Sequence, residues 1–250
     1  MVRSFDELVS EAAAADITGW GFDWLSGRAT EQRPPWGYAR LLADRLGRVG
    51  SALDIDTGGG EVIAEAPTLP PRMVVTEAWP TNADHARRLL GPRGVQVIET
   101  VKDAQEESFE LVTARHPVKP DWEEVYRVLL PGGYYFAQHV GPRSAYELIE
   151  HFLGPLPRTG QVRDPQAECA GARAAGLVVT GLRTARCRME LYDVGAVVWI
   201  LRKCVWWVPD FSVEKYRDKL AGLDTQMRDG RPFVAHSTRH LIEAQRPLLH

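Results

Sequence analysis

Apolar positions along the chain change rhythm at Trp36, and from there to Val140 helical spacing and short apolar runs take turns. The pattern predicts a helix over about Trp36 to Leu46, then a strand Ala52-Leu53-Asp54-Ile55 that breaks at Thr57-Gly58-Gly59-Gly60. A second strand over Met73 to Thr76 reaches Glu77, a helix over about Asn82 to Leu90 stops at Gly91-Pro92, and a third strand covers Val95 to Ile98. Phe109 to Thr113 reads as the fourth strand, and Asp121 to Leu130 as a helix with Asp121 as its N-cap. Tyr134 to Val140 is the fifth strand, after a Pro131-Gly132-Gly133 turn. Parallel neighbours need a crossover connection, so this alternation predicts an α/β fold, a doubly wound, mostly parallel sheet with helices on both faces.

The flanking segments follow other patterns. Phe5 to Ala15 spaces Phe5, Leu8, Val9 and Ala12 along one face of an amphipathic helix. Asp16 to Pro35, rich in glycine and aromatic residues and closed by Pro34-Pro35, reads as an ordered arm or lid. Beyond residue 141 the pattern gives helices near Ala145 to Leu153 and Ala167 to Ala175, a strand over Leu177 to Thr184, an amphipathic helix near Val213 to Met227 and a strand-like run Phe233 to Leu241. Between them, Val194 to Val208 is apolar but interrupted by Arg202 and Lys203, and it falls short of the roughly 20 apolar residues of a spanning helix. It is expected to be a buried or pocket-lining helix. The whole reads as one domain: an N-terminal helix and lid arm over 1–35, a cofactor-binding core over 36–140, and sheet completion with a late helical cover over 141–250.

Composition narrows the function classes. A chain of 250 residues with 44% hydrophobic content can bury a core of this size. A formal charge of -3 supplies no electrostatic footprint for a phosphate backbone, so nucleic acid is not expected as a partner. Cys169, Cys187 and Cys204 are far apart, form no Cys-x-x-Cys pair and have no histidine at zinc-site spacing, so they read as reduced packing residues and no metal is expected. Met1 to Ala15 mixes Arg3, Asp6, Glu7 and Glu11 into its apolar residues, unlike a signal peptide, which points to a cytoplasmic protein without membrane contact. Oligomeric state has no signature in the sequence.

The chemistry concentrates where the first strand of the regular region meets its glycines, the place where an open parallel sheet binds ligands. A dinucleotide site wants Gly-x-Gly-x-x-Gly ahead of a helix N-terminus that can meet pyrophosphate. Here the glycines are consecutive, the sixth position of that pattern is not glycine, and Asp54, Asp56 and Glu61 crowd the turn. Carboxylates repel a pyrophosphate and suit a sulfonium and an ammonium group.

Leu53-Asp54-Ile55-Asp56-Thr57-Gly58-Gly59-Gly60 resembles the first motif of the class I S-adenosylmethionine (SAM) dependent methyltransferases, an acid at a strand end followed by Gly-x-Gly-x-Gly. Ser108-Phe109-Glu110-Leu111-Val112 resembles that family's fourth-strand motif Phe-Asp-Leu-Val, and Val128-Leu129-Leu130-Pro131-Gly132-Gly133 its Leu-Arg-Pro-Gly-Gly turn, so the likeness spans about Trp36 to Val140. The resemblance implies a Rossmann-like methyltransferase sheet, SAM as cofactor and S-adenosylhomocysteine as product. Carried across, Asp54 organises the loop and the cofactor ammonium with Asp56 and Thr57 beside it, while Gly58 and Gly60 make the turn. Asp56 departs from the family by standing where the first glycine is usual, so its backbone must find a conformation that a Cβ allows or carry strain. Glu77 would accept hydrogen bonds from the ribose hydroxyls, with Ala78 and Trp79 beside the adenine and Trp79 offering a stacking face. The adenine amine should be met near Thr100 to Asp103, with Asp103 and the backbone at Val101 or Lys102 as candidates.

Methyl transfer is an in-line displacement, so a nucleophile must be held near the sulfonium carbon and, for a hydroxyl or amine, a proton managed. The ends of the fourth and fifth strands carry Arg115-His116-Pro117 and Gln138-His139, which makes His116 and His139 candidate bases, Gln138 an orienting group and Arg115 a cofactor contact. His236, on a late strand, is a lesser candidate, and Arg28 or Arg33 could pair with the cofactor carboxylate. Trp20, Trp24, Trp36 and Trp206, in or beside the arm and the Trp-rich segment, suit the closure of an apolar or planar acceptor from water. The preferred reading is therefore methyl transfer to a small-molecule acceptor, with a specialised metabolite among the candidates. The alternatives are an RNA or protein methyltransferase, a non-catalytic SAM-binding protein, or other chemistry on the same fold. A nicotinamide dehydrogenase is disfavoured by the acidic turn. A metal-dependent catechol-type enzyme is disfavoured because Arg115, His116 and Lys119 follow the fourth strand instead of an acidic cluster.

Overall fold

A computed structural model describes residues 3–19, 21–157 and 163–248. In chain order its elements are α1 (Phe5–Ala14), β1 (Ala29–Glu31), α2 (Tyr38–Leu46), β2 (Ser51–Ile55), α3 (Glu61–Ala64), β3 (Arg72–Thr76), α4 (Pro80–Leu90), β4 (Gln96–Ile98) and β5 (Phe109–Arg115). They continue with α5 (Trp122–Val128), β6 (Leu129–Val140), α6 (Tyr146–Leu153), α7 (Pro165–Ala174), β7 (Val178–Leu191), α8 (Val194–Lys203), α9 (Arg217–Arg228) and β8 (Phe233–Gln245). The strands pair in the order β1-β7-β8-β6-β5-β2-β3-β4. The five strands from β6 to β4 are mutually parallel, while β8 on β6 and β1 on β7 are antiparallel. The α/β, mostly parallel sheet expected from the alternation is thus the observed one.

The chain divides into two compact units, one of Met1–Arg33, Arg143–Gly160 and Arg186–Ser237, the other of Pro34–Pro142, Gln161–Ala185 and Thr238–His250. The second unit holds the parallel strands. Because side chains alternate across a strand, Tyr135 and Ala137 of β6 join Leu53 and Val112 in one core layer beneath Val125 and Val128 of α5 and Ala172 of α7. Phe136 joins Ala52, Val75 and Leu111 in the opposite layer beneath Leu42 and Leu46 of α2 and Leu90 of α4. Asp121 caps α5, its Oδ1 accepting the Glu124 N–H over 3.2 Å. The expected Pro-Gly-Gly turn instead lies inside β6: pairing steps from Phe109↔Leu129 to Leu111↔Tyr134, so Leu130 to Gly133 are looped out as an irregularity.

The first unit is built on α8. Every residue from Val194 to Leu201 is buried, and Leu8, Val9 and Ala12 of α1 and Leu220 and Leu223 of α9 share its core. Asp193 caps the helix through the Ala196 N–H at 2.8 Å. The segment expected to be a buried helix is one as far as Lys203, after which the chain turns and exposes Val205 and Trp206, and among the described residues no helix is long and apolar enough to cross a membrane. Two features of this unit escaped the sequence pattern. β7 runs on to Leu191, because Cys187, Met189 and Leu191 are buried in alternation with Arg186, Arg188 and Glu190, a period of two masked by charged residues. Within the arm, Ala29 to Glu31 form a strand on that extension, with Ala29 opposite Leu191.

Candidate active site

In the second unit, register places Asp54 beside both Val75 and Thr113, which aligns the carboxyl ends of β2, β3 and β5. Asp54 is buried and accepts the Thr113 hydroxyl at 2.6 Å. Burial pushes its carboxyl up to about 6, against that hydrogen bond, which favours the charged form. The glycine turn follows. Asp56 adopts φ 54°, the left-handed region that the family's glycine would enter freely and that aspartate tolerates better than most side chains. Its N–H donates to Thr76 Oγ1 at 3.0 Å and the Thr57 N–H to the Thr76 carbonyl at 2.9 Å, so β3 holds the strained turn in place. Gly58 and Gly60 also have positive φ, 65° and 87°, and a Cβ on Gly60 would lie 2.7 Å from Leu90 Cδ1. Thr57 Oγ1 is buried beside Asp54, and its hydroxyl favours the charged form of that carboxyl.

A crevice of about 180 Å³ opens at these strand ends, walled by Ile55, Asp56, Ala78, Val101, Ala114 and Tyr135 together with the Pro117 to Asp121 loop. Its charged wall residues are Asp56, Glu99 and Asp121 against Lys119, an acidic balance. Burial and the neighbouring charge of Glu77 both raise the Asp56 carboxyl. Glu77 is half-buried, and its Oε1 accepts the Trp79 N–H at 2.8 Å. Trp79 itself is 66% exposed, its ring unspent. Val101 and Thr100 line the crevice, whereas Asp103 turns its carboxylate to the Thr100 N–H at 3.0 Å in a capping box. The Val101 carbonyl already accepts from Arg127 Nη2 at 2.9 Å and from the Ala104 N–H at 3.1 Å.

Gln138 organises the opposite face of the sheet. Its Oε1 accepts the Trp36 indole N–H at 2.7 Å, and because an indole can only donate, the Gln138 amide NH2 is left facing His116 Nε2 at 3.0 Å. His116 Nε2 must then accept, its proton sits on Nδ1, and its lone pair is occupied. Burial, with Arg239 and Arg115 nearby, pushes this imidazole down to about 3. The residue also holds φ 62° at the end of β5, with its N–H on the Gln138 carbonyl at 2.7 Å. His116 is thus a neutral, strained, fixed group and a poor proton acceptor.

His139 points to the other face. Its Nδ1 meets Glu168 Oε2 at 2.5 Å and its Nε2 the Tyr135 hydroxyl at 2.9 Å. A carboxylate accepts, so Nδ1 donates and Nε2 accepts from Tyr135. His240 Nε2 reaches the same Glu168 oxygen at 2.7 Å. Burial raises the Glu168 carboxyl, but the hydrogen bonds from His139 and His240 outweigh it and bring it to about 2, while burial lowers His139. Glu168, His240 and Tyr135 carried no signal in the sequence: the first lies 29 positions from His139, and the second reaches it only because β8 pairs with β6, His240 opposite His139.

The remaining candidates lie elsewhere. Arg115 is exposed at the end of β5 and is not a wall residue of the crevice. Trp24 stacks on Trp199 at 5.6 Å inside the first unit, with the Arg28 guanidinium 4.0 Å over its ring and also paired to Glu11 at 2.7 Å. These groups serve that unit's own packing. Arg33 is exposed, Trp206 is 57% exposed, and Trp20 lies outside the described residues. His236 Nδ1 bonds Glu147 Oε1 at 2.8 Å.

No protein-family model and no curated protein matches the chain by sequence. Solved structures match by fold. A provisionally named methyltransferase from Bacillus halodurans superposes with a TM-score of 0.60 at 16% identity, over 84% of this chain and 98% of that one. The [4+2]-cyclase SpnF does so at 0.52 and 14%, over 84% and 81%. A geranyl diphosphate methyltransferase solved with SAM does so at 0.50 and 16%, over 83% and 84%. At such identities the likeness is one of fold, an α/β fold shared by these methyltransferases and the cyclase.

Proposed function

We propose that the chain is a cytoplasmic SAM-dependent methyltransferase that binds SAM in the acidic crevice and methylates a small-molecule acceptor, releasing S-adenosylhomocysteine. The observation that carries this reading is the closeness of Asp56, in the crevice wall, to the Glu77 carboxylate that follows the neighbouring strand. Carboxylates at adjoining strand ends favour a ligand bearing cationic groups and a ribose, and disfavour pyrophosphate. Asp54, Asp56, Thr57, Gly58 and Gly60 would hold the amino-acid end, Glu77 the ribose, and Ala78, Trp79 and Val101 the adenine, with Arg115 balancing the buried charge of Asp54. The buried, free cysteines suit a reducing compartment.

Bound there, SAM would supply an electrophilic methyl group. The chain's own part is to position the acceptor and take its proton. His116, its lone pair held by Gln138, would orient an acceptor as a donor through Nδ1. Proton removal would pass through Tyr135, a wall residue whose hydroxyl already donates to His139, backed by Glu168. Trp36 would fix Gln138. The likeness to a [4+2]-cyclase supports a second reading, other chemistry on the same fold. Methyl-labelled SAM, incubated with the protein and separate pools of planar small molecules, RNA and protein, decides between the readings. Label in the small-molecule pool is expected. Label in RNA or protein, or in none, contradicts the proposal.

A further inference from the structure

We propose that His139, Glu168 and His240 form a binding site for one divalent d-block cation of the zinc class, held by two imidazole nitrogens and one carboxylate oxygen. The prospective donor atoms all lie within 4.8 Å of one another. The His139 and His240 ring centroids are 5.0 Å apart, and two imidazoles bound tetrahedrally to one ion at about 2.0–2.1 Å place their centroids about 5 Å apart. The separation of the two rings is the one a shared ion would require. Glu168 Oε2 sits 2.5 and 2.7 Å from their nitrogens, whereas ligands of one tetrahedral ion are about 3.3 Å apart, so loading needs the carboxylate to withdraw by less than about 1 Å.

Glu168 is the partner able to make that movement. It lies in the first turn of α7 with 13% of its side chain exposed, against 2% and 0% for the histidines, so the movable ligand also marks the entry path. His240 is wholly buried, yet its Nδ1 has no hydrogen-bond partner among the described residues, so the ring's polar contact is made through Nε2. Metal-bound histidines usually engage an outer partner through their second nitrogen, and His139 has one in the Tyr135 hydroxyl at 2.9 Å. With Nδ1 on the ion, His139 Nε2 carries the proton and donates to Tyr135, the reverse of the ion-free bond, so proton transfer through Tyr135 to His139 belongs to the ion-free chain and the loaded site holds it off. Imidazole and carboxylate donors select zinc-class ions over calcium or magnesium, and three protein ligands leave a fourth position for water.

The test takes the full chain, stripped by chelator and dialysed. It is titrated with Co(II), whose visible absorption reports imidazole and carboxylate ligation, and then with Zn(II) as competitor. The expected result is one equivalent bound, visible bands bleached by Zn(II), and a melting temperature raised by Zn(II). Glu168→Gln should weaken binding by at least the roughly 10–100-fold lost with an outer-shell partner, and His240→Gln should abolish the bands, with circular dichroism confirming the fold. Should His240→Gln not fold, Glu168→Gln alone decides. Absence of bands from folded wild type, or binding that the folded variants leave intact, overturns the site.

Discussion

The Thr113 hydroxyl donates to Asp54 over 2.6 Å, tying β5 to β2 directly beneath the glycine turn. Asp54 is buried, and removing its donor leaves a carboxylate short of a partner. Thr113→Val should lower unfolding free energy by about 1–3 kcal/mol and weaken SAM binding, as read by urea denaturation and calorimetry.

The same carboxyl makes stability depend on pH. Its folded pKa, about 6, lies above the ordinary 3.8, so the unfolded chain releases this proton first and this group's contribution to stability falls as pH rises from about 4 through 6. The loss is of order 3 kcal/mol. Asp54→Asn should remove that slope, so its stability relative to wild type is greater at pH 8 than at pH 4.

His116 works in the opposite sense. Its folded pKa, about 3, lies below the ordinary 6.5, so the unfolded chain gains a proton first as pH falls, and stability is lost from about 6.5 down to 3. Between pH 4 and 6 this opposes the Asp54 effect, and wild type shows little net slope from the pair. His116→Asn should expose the Asp54 slope in urea melts across that range.

Two substitutions in the turn should have opposite signs. Gly60→Ala sets a Cβ 2.7 Å from Leu90 Cδ1 at φ 87° and should destabilise by about 2 kcal/mol or more. Asp56→Gly releases a left-handed non-glycine residue at φ 54° and should raise the melting temperature while weakening SAM binding, because it removes a wall carboxylate. Thermal melts and calorimetry on both variants check the pair.

Tyr135→Phe removes the hydroxyl that joins the crevice wall to His139, leaving His139 Nε2 buried and unpaired. Stability should fall by about 1–3 kcal/mol. Once an acceptor is in hand, kcat should fall and its pH profile shift, with affinity for SAM unchanged. An unchanged pH profile would assign Tyr135 a purely structural role.

What could be read from the sequence and what could not divide along locality. The strand-end and turn positions of Asp54, Asp56, the glycines and Glu77 are legible because a strand end, its turn and the next strand end are short-range patterns that backbone chemistry dictates. The length of β7 was hidden because arginines fill the outward positions opposite Cys187, Met189 and Leu191. Gln138 and His116 were visible as strand-end residues, but the indole of Trp36, 102 positions from Gln138, decides which of their atoms is free. Glu168 and His240 reach His139 only through tertiary packing, and no spacing rule connects them.

The most direct measurement is calorimetric titration of SAM, S-adenosylhomocysteine and NAD into the purified wild-type chain and a Glu77→Ala variant. The account predicts that both sulfur compounds bind at one site, that NAD does not, and that the variant loses about tenfold to hundredfold in affinity as the hydrogen bonds to the ribose disappear. A folded wild-type protein that fails to bind SAM, or a variant that binds it as well as wild type, would contradict the assignment of the crevice.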